Sequence, residues 1–241
     1  MKSWKAIGLI TLFVLAVVGI RGYFIWKERH TPVVIKPRYE EKNLTADDIV
    51  QPRKLYIDDL KSARTLKGKT VWMQAGNEMD YYPYVAHHVD FAKKAGVLPS
   101  IQALKIEDMV TQSAPAGVQN RVPHGTSQVL AVFEEPASSK PYAVPVGYLD
   151  GNDSKFYCDD LFYYDDPHQL YKHWPADIWQ AVDAHQAKPG MNELQVTMAL
   201  GNVQQSESSN YGNRTVHYTV PGGKDVAVDF TNDRATEVKV N

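Results

Sequence analysis

The sequence predicts an α+β protein: an N-terminal transmembrane helix, a strand-rich α+β middle region, and a C-terminal unit of two helices plus a three-stranded antiparallel meander. Three observations carry this. An uncharged apolar run, Ala6 to Ile20, opens the chain. Segments of alternating apolar and polar residues recur through the middle. Near the C-terminus two helical patterns precede three strand patterns joined by short turn sequences. The expected boundaries are an anchor at 1–27, a linker at 28–65, a strand-rich domain at 66–174 and a C-terminal domain at 175–241.

The first element is "MKSWKAIGLITLFVLAVVGIRGYFIWKERH". Lys2 and Lys5 precede the uncharged run, and Tyr23, Phe24 and Trp26 suit a membrane interface. Counting through Trp26, with Arg21 snorkelling, gives about 21 residues against the roughly 20 a span needs. This reads as a retained single-pass signal-anchor. A cleaved signal peptide is the rival, but Val17-Val18-Gly19 is a poor cleavage site. A buried helix is the third alternative. Residues 28–53 hold prolines and mixed charges and read as a tether, with "LTADDI" able to open a short helical turn.

The middle region starts with a strand at 67–75, "KGKTVWMQA". "YPYVAHHVDFAKKAGVL" reads as a helix, with Val85, Val89 and Phe91 near helical spacing and Gly96 as its stop. "SIQALKIEDMVTQ" is strand-like in its second half, and "SQVLAVFEE", 127–135, alternates as a strand. "KPYAVPVGYLDG" and "SKFYCDDLFYY" read as the two arms of a hairpin across "DGND".

In the C-terminal region Pro175 suits a first helical turn, and Ile178, Trp179 and Val182 make an apolar face. A second helix has Asn192 as N-cap, Met191, Leu194 and Met198 on one side, and Gly201 as its stop. "RTVHYTV", "DVAVDF" and "ATEVKV" are the strands, with "PGGK" and "TNDR" as turns.

The donor-rich stretch is 156–175, "FYCDDLFYYDDPHQLYKHWP". Asp159, Asp160, Asp165, Asp166, His168 and His173 are enough donors for a metal ion or for acid–base chemistry. Their spacing argues otherwise. Adjacent aspartates on a strand point to opposite faces, and histidines five apart do not share a helix face. "DDPH" reads as a turn, and the aromatics read as packing. Cys158 lies beside acidic residues that disfavour its thiolate. His87 and His88 diverge on a helix, so with Asp90 they read as a surface pair, and His124 has no assignable partner. No catalytic residue, metal ligand or cofactor is therefore expected. The chain carries no serine-hydrolase elbow, phosphate loop, dinucleotide fingerprint or zinc-protease motif. The net charge of -2 gives no footprint for nucleic acid. One cysteine excludes an internal disulfide. Asn-x-Ser/Thr triplets at Asn43, Asn152 and Asn213 matter only in a eukaryotic secretory pathway.

From "KPGMNELQVTMALG" onward the chain resembles the SmpA/OmlA (BamE-like) envelope lipoprotein family. Gly190, Met191, Gln195, Val196, Leu200, Gly201, Tyr218, Phe230 and Asn232 carry the resemblance, over about a quarter of the chain. The lipidated cysteine of that family is missing, and the module sits behind another domain. The resemblance implies an extracytoplasmic protein-binding or assembly module. Arg21, Lys27, Arg29, Lys36 and Arg38 outnumber the charges before the run and favour a cytoplasmic C-terminal side. The resemblance points outward, and the outward orientation is the one taken. The expectation is thus a single-pass inner-membrane protein whose C-terminal region lies on the periplasmic side of the cell envelope. It would hold a protein partner without catalysis. The alternatives are an anchored hydrolase or metal-dependent enzyme using 159–173, and a small-ligand binding module.

Overall fold

In the computed structural model the described residues are 2–30, 44–115, 117–118, 127–134, 140–151, 153–201, 203–220 and 224–240. Two compact units result, Met1–Leu44 and Thr45–Asn241. The first contains helix α1, Lys2–His30. Among the described residues no helix is long and apolar enough to cross a membrane. This corrects the expected transmembrane helix, with its signal-anchor, single-pass and inner-membrane assignments and the membrane contact they implied. The physical reason lies in the run itself. The uncharged residues Ala6–Ile20 rise about 22 Å as a helix, short of a hydrocarbon core of about 30 Å. Continuing past Ile20 brings in Arg21, then Lys27, Glu28 and Arg29.

The second unit begins with a 3-10 turn at Asp47–Ile49 and helix α2, Leu60–Arg64, whose N-cap Asp59 accepts from Ser62 N–H. Nine strands then build an antiparallel sheet: β1 (Thr70–Met73), β2 (Met79–Val85), β3 (His88–Val89), β4 (Gly96–Leu98), β5 (Ala103–Ser113), β6 (Ser127–Glu134), β7 (Pro141–Asp150), β8 (Asp153–Phe156) and β9 (Phe162–Tyr163). The order is β3-β2-β7-β6-β5-β1-β9, with β4 on β2 and β8 on β7.

The strands expected at 67–75, 127–135 and 141–150 are present as β1, β6 and β7. The helix expected over 82–98 is instead β2, β3 and β4. Val85 pairs with His88 across a two-residue turn in which Ala86 and His87 both have positive φ, 49° and 62°. That is primed-turn geometry, which matches strand twist but is usually signalled by Asn-Gly. The alternation in β6 serves both faces. Val129, Ala131 and Phe133 enter the main core, while Leu130 and Val132 join a smaller one with Tyr82 and Phe91.

Short helices follow: α3 (Cys158–Leu161), α4 (Pro167–Leu170), α5 (Ala176–Asp183) and α6 (Glu193–Leu200). Pro175 is the N-cap of α5, and Ile178, Trp179 and Val182 are its buried face. Asn192 caps α6 in a reciprocal box with Gln195. The face of α6 differs from expectation. Met198 is buried, but Leu194 is only partly so, and Val196, Ala199 and Leu200 pack inward with it. Gly201 ends α6 at φ 85°, where a Cβ would also collide with Glu78.

The C-terminal sheet has four strands, not three: β10 (Val203–Ser206), β11 (Thr215–Val220), β12 (Lys224–Thr231) and β13 (Arg234–Val240), in chain order. Val216, Tyr218, Val226, Val228 and Phe230 bury one face in a core with α5 and α6. That core also takes in Trp72, Ala75 and Ile101 from the middle region, and the buried Ser100 hydroxyl donates to Met198 O at 2.7 Å.

Candidate functional site

Residues 156–175 fold differently from the strand-and-turn reading. The strand stops at Phe156, and Asp160 N and Leu161 N both donate to Tyr157 O, closing the helical turn α3. The turn aims the Asp159 carboxylate at the segment before α2. Leu55 N–H donates to it at 2.9 Å and Ile57 N–H at 3.2 Å. Arg53 reaches Asp165 at 2.9 Å and Tyr164 O at 3.0 Å. Further along, Asp47 accepts from Trp174 Nε1 at 2.6 Å and Asn192 Nδ2 at 2.6 Å, and lies 2.5 Å from His173 Nε2. Residues 45–57 therefore run as a strap held at three points, with Ile57 in the main core and Val50 against the C-terminal one.

The remaining donors are engaged elsewhere. Asp166 caps α4, accepting from His168 N–H at 2.9 Å and lying 3.0 Å from its Nδ1. The other ring nitrogen of His168 is 3.1 Å from Asp183, and the ring stacks on Trp179 at 4.0 Å. Asp160 offers its backbone carbonyl to Asn77 at 2.8 Å. The structure thus disperses Asp160, Asp165, His168 and His173. Among the described residues no group of three or more His, Cys, Asp or Glu could hold a metal ion.

Cys158 is buried, and burial, followed by the nearby Asp159 charge, pushes its thiol up to about 12. His87 and His88 sit in and after the β2–β3 turn, and Asp90 accepts from Ala92 N–H and pairs with Lys93. His124, Asn43 and Asn152 lie outside the described residues. Asn213 accepts from Asn232 N–H at 2.8 Å, fixing the β12–β13 turn. Two shallow clefts flank the strap. One, of about 310 Å³, lies beside Asp47, His173 and Arg234, and the other, of about 530 Å³, beside Lys54, Gln74 and Asp160.

Sequence reasoning missed Asp47, because the strap looks like a tether. A local signal exists: Thr45 and Asp48 form a small cap, with Thr45 N–H donating to Asp48 at 2.8 Å. The partners of Asp47 are more than a hundred residues away in sequence, and no local pattern encodes them.

A second feature is the outer edge of β13. Phe230 N–H donates to Arg214 O, so Phe230 turns its backbone towards β11. Neighbouring residues of a strand alternate, so Asp229 and Ala227 turn theirs towards β13. The register pairs Asp229 with Glu237, Val228 with Val238, Ala227 with Lys239 and Val226 with Val240, after a bulge. Glu237 and Lys239 consequently bond back to β12, while Val238 and Val240 aim N–H and C=O outward. At Ala235 the outer edge is already occupied, since Gly190 N–H donates to Ala235 O and Ala235 N–H to Met191 O. The open length is 236–240, and among the described residues no further strand lies against it. Comparison with protein-family models, with curated proteins and with solved structures returned no match.

Proposed function

We propose that residues 45–241 form a non-catalytic module that binds a polypeptide by taking its strand onto the open edge of β13. The observation that carries this is the outward N–H and C=O of Val238 and Val240 on an edge strand. Strand addition supplies affinity through main-chain bonds and selectivity through alternate side chains. The donor-rich stretch supports the same reading, because its carboxylates and imidazoles hold the strap and cap helices. The resemblance of the C-terminal segment to BamE-like modules, whose members act as protein-binding modules, agrees with it.

A photo-crosslinking residue placed at Thr236 of the full chain tests the proposal, with adducts mapped by mass spectrometry. The expected adducts lie in one extended segment of the bound polypeptide and disappear in Val238→Pro. That substitution deletes an outward N–H and leaves the ladder to β12 intact. Identical adducts from a crosslinker at Asp183, or adducts indifferent to Val238→Pro, would sink it.

A further inference from the structure

We infer that the strand accepted by the β13 edge is the β13 strand of a second copy of this chain, which rests on the strand-addition proposal and names its partner. Three features of the edge are self-complementary. The first is backbone parity. A two-fold axis through Val238 pairs it with its own copy, and each Val238 N–H then donates to the other's C=O in a hydrogen-bonded antiparallel pair. The second is charge. Glu237 and Lys239 flank Val238 on the face turned away from α5 and α6, and the axis sets each Glu237 opposite the partner's Lys239. Shifting the centre by one residue sets Glu237 against Glu237, or Lys239 against Lys239. The charges therefore select one register, since like charges directly opposite are unfavourable.

The third feature is length. The Gly190–Met191 loop closes the edge at Ala235, which leaves Thr236 to Val240. Glu237, Val238 and Lys239 superpose on themselves about Val238, and each Val240 reaches the bulged Thr236 at the end of the partner's open length. A neighbouring strand would also cover Val240, which is 63% exposed. Edge strands usually carry charge and a bulge to repel a second copy. Here the bulge lies at one end of the open length, where Thr236 is the extra residue of β13 between Ala235 and Glu237, and the charges alternate in sign about the axis. The contact is small beside a standard interface of about 1,600 Å², so a weak, closed, two-fold dimer is expected.

Sedimentation equilibrium on the full chain is the test, with Glu237→Lys, Lys239→Glu and the double swap. Each single reversal sets like charges opposite each other twice per dimer and should weaken self-association by about tenfold. The double swap restores opposite signs and should return the dimer constant to within about threefold of the unmodified chain. Glu237→Lys keeps the internal ion pair of Lys239 with Asp229 at 2.9 Å while the double swap loses it, so weakening in the first and rescue in the second track the dimer contact rather than that pair. The internal Glu237–Lys239 pair at 3.1 Å is lost in each single reversal and rebuilt in the double swap. An equimolar mix of the two single variants lacks that pair but sets opposite charges across the axis, so it should associate like the unmodified chain. A chain that stays monomeric at high concentration overturns the inference, as does a dimer indifferent to the single reversals. If the chain is monomeric but the Thr236 crosslinker still captures another segment in a Val238-dependent way, self-pairing fails and strand addition stands. If neither occurs, both fail.

Discussion

Replacing Asp47 with alanine should loosen the strap, and the size of the effect follows from its three donors. The Asp47 side chain is only 13% exposed and Trp174 is 5% exposed. Loss of the carboxylate leaves the buried indole N–H without its acceptor, at a cost of about 1–3 kcal/mol. His173 and Asn192 are less buried and can turn to water, adding about 0.5 kcal/mol each. Relief of the carboxylate's own desolvation offsets part of this, for a net of about 2 kcal/mol. In a domain of this size that lowers Tm by about 4–8 °C. Thermal melting reads the magnitude, and limited trypsin digestion reads the place, since Arg53 and Lys54 lie in the strap. Asp47→Asn keeps an oxygen for the indole and should recover about half the loss. A Tm within about 1 °C of the unmodified chain, with unchanged cleavage at Arg53 and Lys54, would refute the strap reasoning.

Other outcomes follow from single contacts. Glu193 is 2% exposed, accepts from Gly212 N–H at 2.8 Å and pairs with the half-buried Arg214, which also donates to Ser208 O. Glu193→Ala therefore leaves the buried Gly212 amide without its acceptor and should cost about 1–3 kcal/mol in chemical denaturation. Cys158, its thiol raised to about 12, should resist a thiol reagent at pH 8 in the folded chain and react once denaturant unfolds it. Asp229 is held below the usual carboxylate range by the Thr215 hydroxyl first and then Lys239. Its contribution to stability is present above the unfolded value and is lost as pH falls through the lower folded one. Thr215→Val should therefore raise the Asp229 midpoint in a carboxyl NMR titration and flatten that part of the acid limb.

Elements with local signals were legible in the chain, and those made by distant contacts were not. The two C-terminal helices announce themselves through Pro175, Asn192 and Gly201, and the structure uses each of these residues at a helix end. The hairpin from β7 to β8 follows from Asp150-Gly151 between alternating arms. The helix read into 82–98 fails because its turn is built on Ala86 and His87, residues that do not advertise positive φ, so the valines' accidental spacing dominated. The short turn α3 fails for a related reason: aromatic residues favour strands, but Tyr157 O captures two amides and bends the chain. The membrane helix fails on length and charge, through Arg21. At the candidate site, spacing treated the aspartates as neighbours on a strand, where the chain forms the turn α3 instead. It could not say what they hold, because Leu55, Ile57 and Asp47 meet them only in the folded chain.

The most direct test of the β13 edge is amide hydrogen exchange along 236–240 of the full chain, followed against protein concentration. In dilute solution Glu237 and Lys239 should be protected by β12, while Val238 and Val240 exchange freely. As concentration rises, protection should appear at Val238. Uniform protection at every dilution, or free exchange at Glu237 and Lys239, would contradict the open-edge geometry on which strand addition depends.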